Sequence, residues 1–205
     1  MMKSAKWLLG LTACLTISGG SFAGDLGAAV SPATRAVALP EGGTATATTF
    51  ATVVNRTDNA LGNCEVELPG RFRELELDFV WTDPATNAVV PGSENTPFSL
   101  PPRASQSLVL AVTADQVFDG VIPPVFECAG GTPADSIYGV NTFELVVAET
   151  APTDIVAIGI TLPDNDGVIR IASEGGRQAM AISAINIGAA GLVNVRPVGT
   201  YGQNA

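Results

Sequence analysis

The stretch Glu74–Trp81, ELELDFVW, alternates along its length: Leu75, Leu77, Phe79 and Trp81 fall on one side of an extended chain, and Glu74, Glu76 and Asp78 on the other. A helix would scatter these apolar residues around its circumference, so the stretch reads as a strand with one buried and one wet face. The same two-residue period recurs in SQSLVLAVT (Ser105–Thr113) through Leu108, Leu110 and Val112. It recurs again in TFELVVA (Thr142–Ala148) through Phe143, Leu145 and Val147.

Working outward, the chain from Gly24 onward is rich in Val, Ala, Thr, Gly and Pro, and no long segment carries a 3.6-residue period. Further strands are predicted at Ala36–Leu39, Ala45–Val54, Cys64–Leu68, Ala88–Val90, Phe98–Leu100 and Val125–Cys128. Turn chemistry separates them: TDPATN (Thr82–Asn87) supplies Asp, Pro and Asn, and LPPRAS (Leu100–Ser105) sets two prolines before a strand edge. Two sheets of this kind bury their apolar faces against each other. The expected fold is all-β, an Ig-like antiparallel β-sandwich over residues 24–150, followed by a partial second β module over residues 151–205.

That second module is expected from an internal repeat. Asp25 opens DLGAAVSPATRAVALPEGG and Asp154 opens DIVAIGITLPDNDGVIRIASEGG; each runs to Glu-Gly-Gly (Glu41–Gly43, Glu174–Gly176). Each then continues into a strand ending in Asn (Asn55, Asn186), then Leu and Asn (Leu61 and Asn63, Leu192 and Asn194). The offset drifts between about 129 and 133, a period suited to tandem domains rather than solenoid units. The chain thus reads as one module and the opening third of another.

The run of an Asn-terminated strand, an early Cys, TDPATN, NTPFSLPPRASQSLVLAVT and VFEC resembles uncharacterised Ig-like repeat modules of exported bacterial proteins. The part PFSLPPRASQSLVLAVT is similar to Ig-like domains that serve as tandem spacers in bacterial surface proteins. The resemblance spans roughly Asp25 to Asn194 and implies an Ig-like fold with periplasmic or cell-surface placement. It brings no catalytic residue with it.

The first 23 residues fit an export signal: Lys3 and Lys6, an apolar run from Trp7 to Ile17, and small residues at Ser21 and Ala23. The apolar run falls short of the roughly 20 residues a membrane span needs, and no later stretch reaches that length. As an alternative, LTAC (Leu11–Cys14) resembles a lipobox, which would make Cys14 a lipidated anchor. If the signal is removed before Gly24, only Cys64 and Cys128 remain, which reads as one disulfide in an oxidising compartment. Its loop of about 65 residues corresponds to roughly 4 kcal/mol in the chain-entropy account. The same cleavage removes both lysines and leaves eight arginines against twenty acids, a formal charge of −12. Such a field repels nucleic acid and anionic lipid.

Candidate chemistry is sparse. The sequence contains no His, which removes Ser-His-Asp and Cys-His arrangements and the commonest transition-metal ligand. A mature chain without Lys also lacks Schiff-base and Ser-Lys chemistry. Carboxylate catalysis of the glycosidase kind is what remains, with Glu65 and Glu67, or Glu74 and Glu76, each pair sharing a strand face. Acids opposite an apolar face are ordinarily the solvated side of a sheet. PDNDG (Pro163–Gly167) is the one fragment of a Ca²⁺ loop, through Asp164 and Asp166, but position twelve from Asp164 is Gly175. The competing reading is a turn joining DIVAIGITL to GVIRIA. NRT (Asn55–Thr57) matches a glycosylation acceptor formally and carries no weight in a bacterial-style export chain.

The sequence therefore points to a non-enzymatic exported module, structural or adhesive, at the bacterial cell surface or in the periplasm. The alternative is a periplasmic or extracellular small-molecule or glycan-binding domain assisted by Ca²⁺. No other cofactor, no nucleic acid and no transmembrane span is expected. A protein or glycan at the surface is the expected partner, together with self-association through the partial C-terminal module.

Overall fold

The computed structural model describes residues 24–161, 177 and 179–191. It is all-β, with twelve strands among the described residues. The first sheet contains β1 (Leu26–Ser31), β3 (Ala45–Asn55), β7 (Ser105–Ala114) and β5 (Leu75–Trp81), in the order β1-β3-β7-β5, every pair antiparallel. Opposite it, β4 (Leu61–Glu67) lies between β6 (Phe98–Leu100) and β9 (Val125–Ala129), while β10 (Phe143–Ala148) lies between β8 (Phe118–Ile122) and β2 (Thr34–Ala38). In chain order, the first sheet is the A-B-E-D arrangement of an immunoglobulin-type sandwich, and β4, β8/β9 and β10 supply C, F and G.

Proline explains both places where a strand changes partner. Pro123 and Pro124 have no N–H to give a ladder, and they divide β8, paired with β10, from β9, paired with β4. Pro32, after a cis Ser31–Pro32 peptide, divides β1 in the first sheet from β2, which runs parallel to β10 in the second. The carbonyl of Pro32 accepts a bond from the buried Thr49 hydroxyl at 2.6 Å.

The alternating stretches fill the core as their period requires. Leu108, Leu110 and Val112 of β7 are buried against Phe143, Leu145 and Val147 of β10, with Phe126, Ile122, Leu26 and Leu100 around them. Leu75 and Phe79 are buried on β5, and Phe79 meets Phe98 edge to face with centroids 6.5 Å apart. Two strands escape the sequence reading. β1 (LGAAVS) is small-residue-rich with little amphipathic contrast, and β8 (FDGVI) is five residues with a central Gly. The strand expected at Ala88–Val90 is reduced to one bridge between Val89 and Thr82.

TDPATN forms an Asx turn. The Asp83 carboxylate accepts bonds from the Thr86 hydroxyl and from the amides of Ala85 and Thr86, which hold its pKa below the usual carboxylate value. Asn87 closes the turn at φ 57°. Beyond it, the segment around Val89–Asn95 lines the outer edge of β5. The Asn95 side-chain oxygen accepts from the Phe79 amide, the Asn95 backbone N–H donates to the Phe79 carbonyl, and Ser93 Oγ accepts from the Trp81 amide.

Toward the C-terminus, β11 (Ile155–Thr161) pairs antiparallel with β12 (Met180–Asn186). The described partner of DIVAIGITL is therefore MAISAIN. PDNDG and GVIRIA lie outside the described residues, as do Asp164, Asp166, Cys14 and the rest of residues 1–23. No helix among the described residues is long and apolar enough to cross a membrane.

Candidate functional site

Three features outside the plain core carry the structure's specificity: a strand-end latch that occurs twice, the joint between the sandwich and β11–β12, and an acidic face beside the disulfide. The latch begins at Asn55, the last residue of β3 and 0 % exposed. A side chain there must satisfy two donors and an acceptor without water. Its amide donates to the carbonyls of Asn59, Leu100 and Pro101 at 2.7, 3.2 and 3.0 Å, and its oxygen accepts from the Thr57 amide and hydroxyl. These bonds fasten the end of β3 to the turn that precedes β7. With its nitrogen fully committed and buried, Asn55 offers no acceptor for a glycan.

Asn186 ends β12 in the same way. Its oxygen accepts from the Gly188 amide at 3.0 Å and its amide donates to the Ala189 carbonyl at 2.8 Å. The strand registers correspond as well: Leu26 faces Asn55 and Ile155 faces Asn186. The next amide in each case donates to the Asp carbonyl that opens the pair, Arg56 to Asp25 and Ile187 to Asp154, both at 2.8 Å. The two pairs share one hydrogen-bonding plan.

The opening Asp side chains differ. Asp25 binds the amide and hydroxyl of Thr132, within the sandwich. Asp154, 3 % exposed, pairs with Arg35 of β2, Nε to Oδ2 at 2.8 Å. Arg35 also donates through Nη1 to the Thr48 carbonyl of β3, so one guanidinium ties β2, β3 and the start of β11 together. Asp154 Oδ1 has no protein partner among the described residues. A carboxylate buried this deeply depends on that guanidinium, because an unpaired buried charge costs several kcal/mol, on the order of 3–5.

Cys64 of β4 and Cys128 of β9 form the disulfide expected from the cysteine count, with Cα atoms 4.0 Å apart. They bridge neighbouring strands of one sheet, where the register slips between Gly62 and Glu65, rather than joining the two sheets. Beside them Glu65 and Glu127 are cross-strand partners, and Glu67 lies two residues on; one carboxylate oxygen from each comes within 4.8 Å of the others. Sequence reasoning paired Glu65 with Glu67 and missed Glu127, which only strand order brings near. The three stand side by side on one face. Glu74 and Glu76 lie apart from them, at the start of β5 beside Arg73.

No protein-family description matches the chain, and no curated protein matches it. Among solved structures, it is similar to the CARDB domain of a Pyrococcus furiosus protein at 16 % identity, covering 62 % of this chain and 97 % of that one, with a TM-score of 0.35. The PapD-like domain 7 of human CEP192 matches at 12 % identity over 72 % of this chain and 95 % of that one, with a TM-score of 0.28. A chaperone–tip adhesin complex of CFA/I fimbriae matches at 14 % identity over 78 % and 66 %, with a TM-score of 0.25. The fold assignment rests on the strand order described above.

Proposed function

We propose that this chain is an exported, non-enzymatic Ig-like module, structural or adhesive, that works in tandem with further modules at the bacterial cell surface or in the periplasm. The observation that carries this reading is the recurrence of the β1–β3 plan in β11–β12, register and latch included, joined to the sandwich by the bond from Arg35 to the buried Asp154. A chain that restarts its own fold where the first copy ends is organised as an array. The core disulfide supports an oxidising destination, as does the signal pattern of residues 1–23.

The chemistry supports a non-catalytic role. The chain has no His, and the clustered acids Glu65, Glu67 and Glu127 share a sheet face instead of opposing each other across a cleft, which glycoside hydrolysis requires.

The test is expression of the whole chain in a Gram-negative host, followed by fractionation, intact mass and thiol alkylation. Expected are loss of residues 1–23, an unalkylated Cys64–Cys128 pair, and recovery from the periplasm or cell surface. A diacylated mass beginning at Cys14 would replace the free module with an anchored one. Retention in the cytoplasm with the N-terminus intact and thiols free would overturn the reading. A Ca²⁺-dependent rise in Tm in the same preparation would move the assignment to the ligand-binding alternative.

A further inference from the structure

In the sandwich, the edge of β3 away from β1 is filled by β7 over ten paired residues, Ala45–Val54 against Ala114–Ser105. With Asn186 aligned on Asn55, the corresponding edge of β12 meets no strand among the described residues. Met180, Ile182 and Ala184 stand where Thr49, Ala51 and Val53 stand in β3, positions no more than 2 % exposed there. In β12, Met180 is 46 % and Ile182 54 % exposed.

Edge strands are ordinarily guarded by charge, proline, shortness or a covering loop. The sandwich follows this rule: β6 has three residues, the Val89–Asn95 segment lines β5, and the Val140 carbonyl receives the Val30 amide of β1. β12 has seven residues, no charge and no proline, and no loop among the described residues covers its outer edge. No ionisable side chain occurs anywhere from Gln178 to Val195.

We infer that β12 docks edge to edge with β12 of a second copy of this chain, making a continuous four-stranded sheet across a two-fold axis at Ser183. The strand is complementary to itself. Run antiparallel about Ser183, it sets Ile182 opposite Ala184 and Ala181 opposite Ile185, large against small, with Met180 opposite Asn186 and no like charges opposed. Within the described residues of a second copy, β12 also offers a seven-residue open edge of matching composition, whereas β7 is already paired on both sides with β3 and β5. This inference rests on β11–β12 as the opening of a second sandwich.

Light scattering of the purified protein across a concentration series is the test. It is expected to give dimers that dissociate on dilution. Ser183→Lys sets two like charges on the axis and raises the dissociation constant at least tenfold, with an unchanged β spectrum and thermal transition. Ser183→Cys forms a disulfide-linked dimer under mild oxidation, whereas Ala181→Cys, which faces Ile185, does not link to itself. A monomer at every concentration overturns the inference, as does a dimer indifferent to Ser183→Lys or one that cross-links at Ala181→Cys. Hydrogen exchange separates the two readings: a monomer in which the Ile187 and Ala189 amides stay protected keeps the tandem reading and loses only the dimer. Unprotected amides there remove both.

Discussion

Asn55 and Asn186 end their strands with the same turn and the same kind of bonds, yet Asn55 is enclosed by the core and Asn186 is exposed. Around Asn55 the latch reaches across to Leu100 and Pro101, fastening β3 to the entrance of β7; around Asn186 it stays within its own strand pair, at Gly188, Ala189 and the Asp154 amide. The plan of the turn is therefore local, and its energetic weight is supplied by what surrounds it. Burial removes water as a substitute partner, so every bond Asn55 makes must be replaced when it is lost.

Substitution tests this contrast most strongly. Asn55→Ala strands the Leu100 carbonyl in the interior and releases the Asn59 and Pro101 carbonyls and the Thr57 amide at its margin; it is expected to lower unfolding free energy by about 2 kcal/mol, whereas Asn186→Ala costs less than ~1 kcal/mol. Urea denaturation of the two variants side by side checks it. Equal losses would mean that the turn itself, not the surrounding core, holds the strand.

The joint comes next in size. Arg35→Met removes the partner of a carboxylate that is 3 % exposed, and the loss is expected at about 2 kcal/mol, capped because β11 can lift away and let Asp154 rehydrate. The signature is local: amide exchange at Ile187 and Ala189 rises, while exchange in β3 and β7 is unchanged. Asp25, the equivalent residue in the sandwich, is held by Thr132, so Thr132→Val should loosen the start of β1 without touching β11.

Gly188 marks a finer difference between the two pairs. Thr57 holds the position two residues after Asn55 and uses its hydroxyl to bond Asn55 and the Asn59 carbonyl. At Gly188 a Cβ would lie 2.5 Å from the Pro152 carbonyl oxygen and 2.6 Å from the Asp154 nitrogen, backbone atoms that cannot turn aside. Gly188→Ala is expected to cost about 1–2 kcal/mol of β11–β12 pairing. Paired-strand exchange rates would show it, and an unchanged rate would mean that the chain after Asn186 has room the structure does not give it.

Much of this architecture was legible in the sequence because a strand with one wet face writes its burial as alternation, as Leu108, Leu110 and Val112 do. The likeness of the two strand pairs was legible for a related reason: Asp25 with Asn55, and Asp154 with Asn186, stand at corresponding ends of an antiparallel pair. Strand order was not legible. It decides that Cys64 and Cys128 share one sheet and that Glu127 joins Glu65, and nothing in a two-residue period encodes which strand lies beside which. The Arg35–Asp154 pair was hidden for the same reason, its members standing 119 positions apart in the chain.

Ile182 gives the smallest expected effect on folding and the sharpest use of the comparison. Its counterpart, Ala51, is 2 % exposed and lies in a packed core, so Ala51→Ile should overpack that core by about 1–3 kcal/mol. Ile182 stands over solvent at 54 % exposure, and Ile182→Thr should shift the stability of the monomer by no more than about 0.5 kcal/mol. The same substitution removes an apolar contact from the β12–β12 seam, where Ile182 faces Ala184 of the other copy. Its effect should therefore surface only at concentrations where light scattering detects the dimer. A Tm that falls in dilute monomer would mean that Ile182 is already covered within its own chain, and the difference between the two strand pairs would then be one of occupancy by different parts of the same molecule.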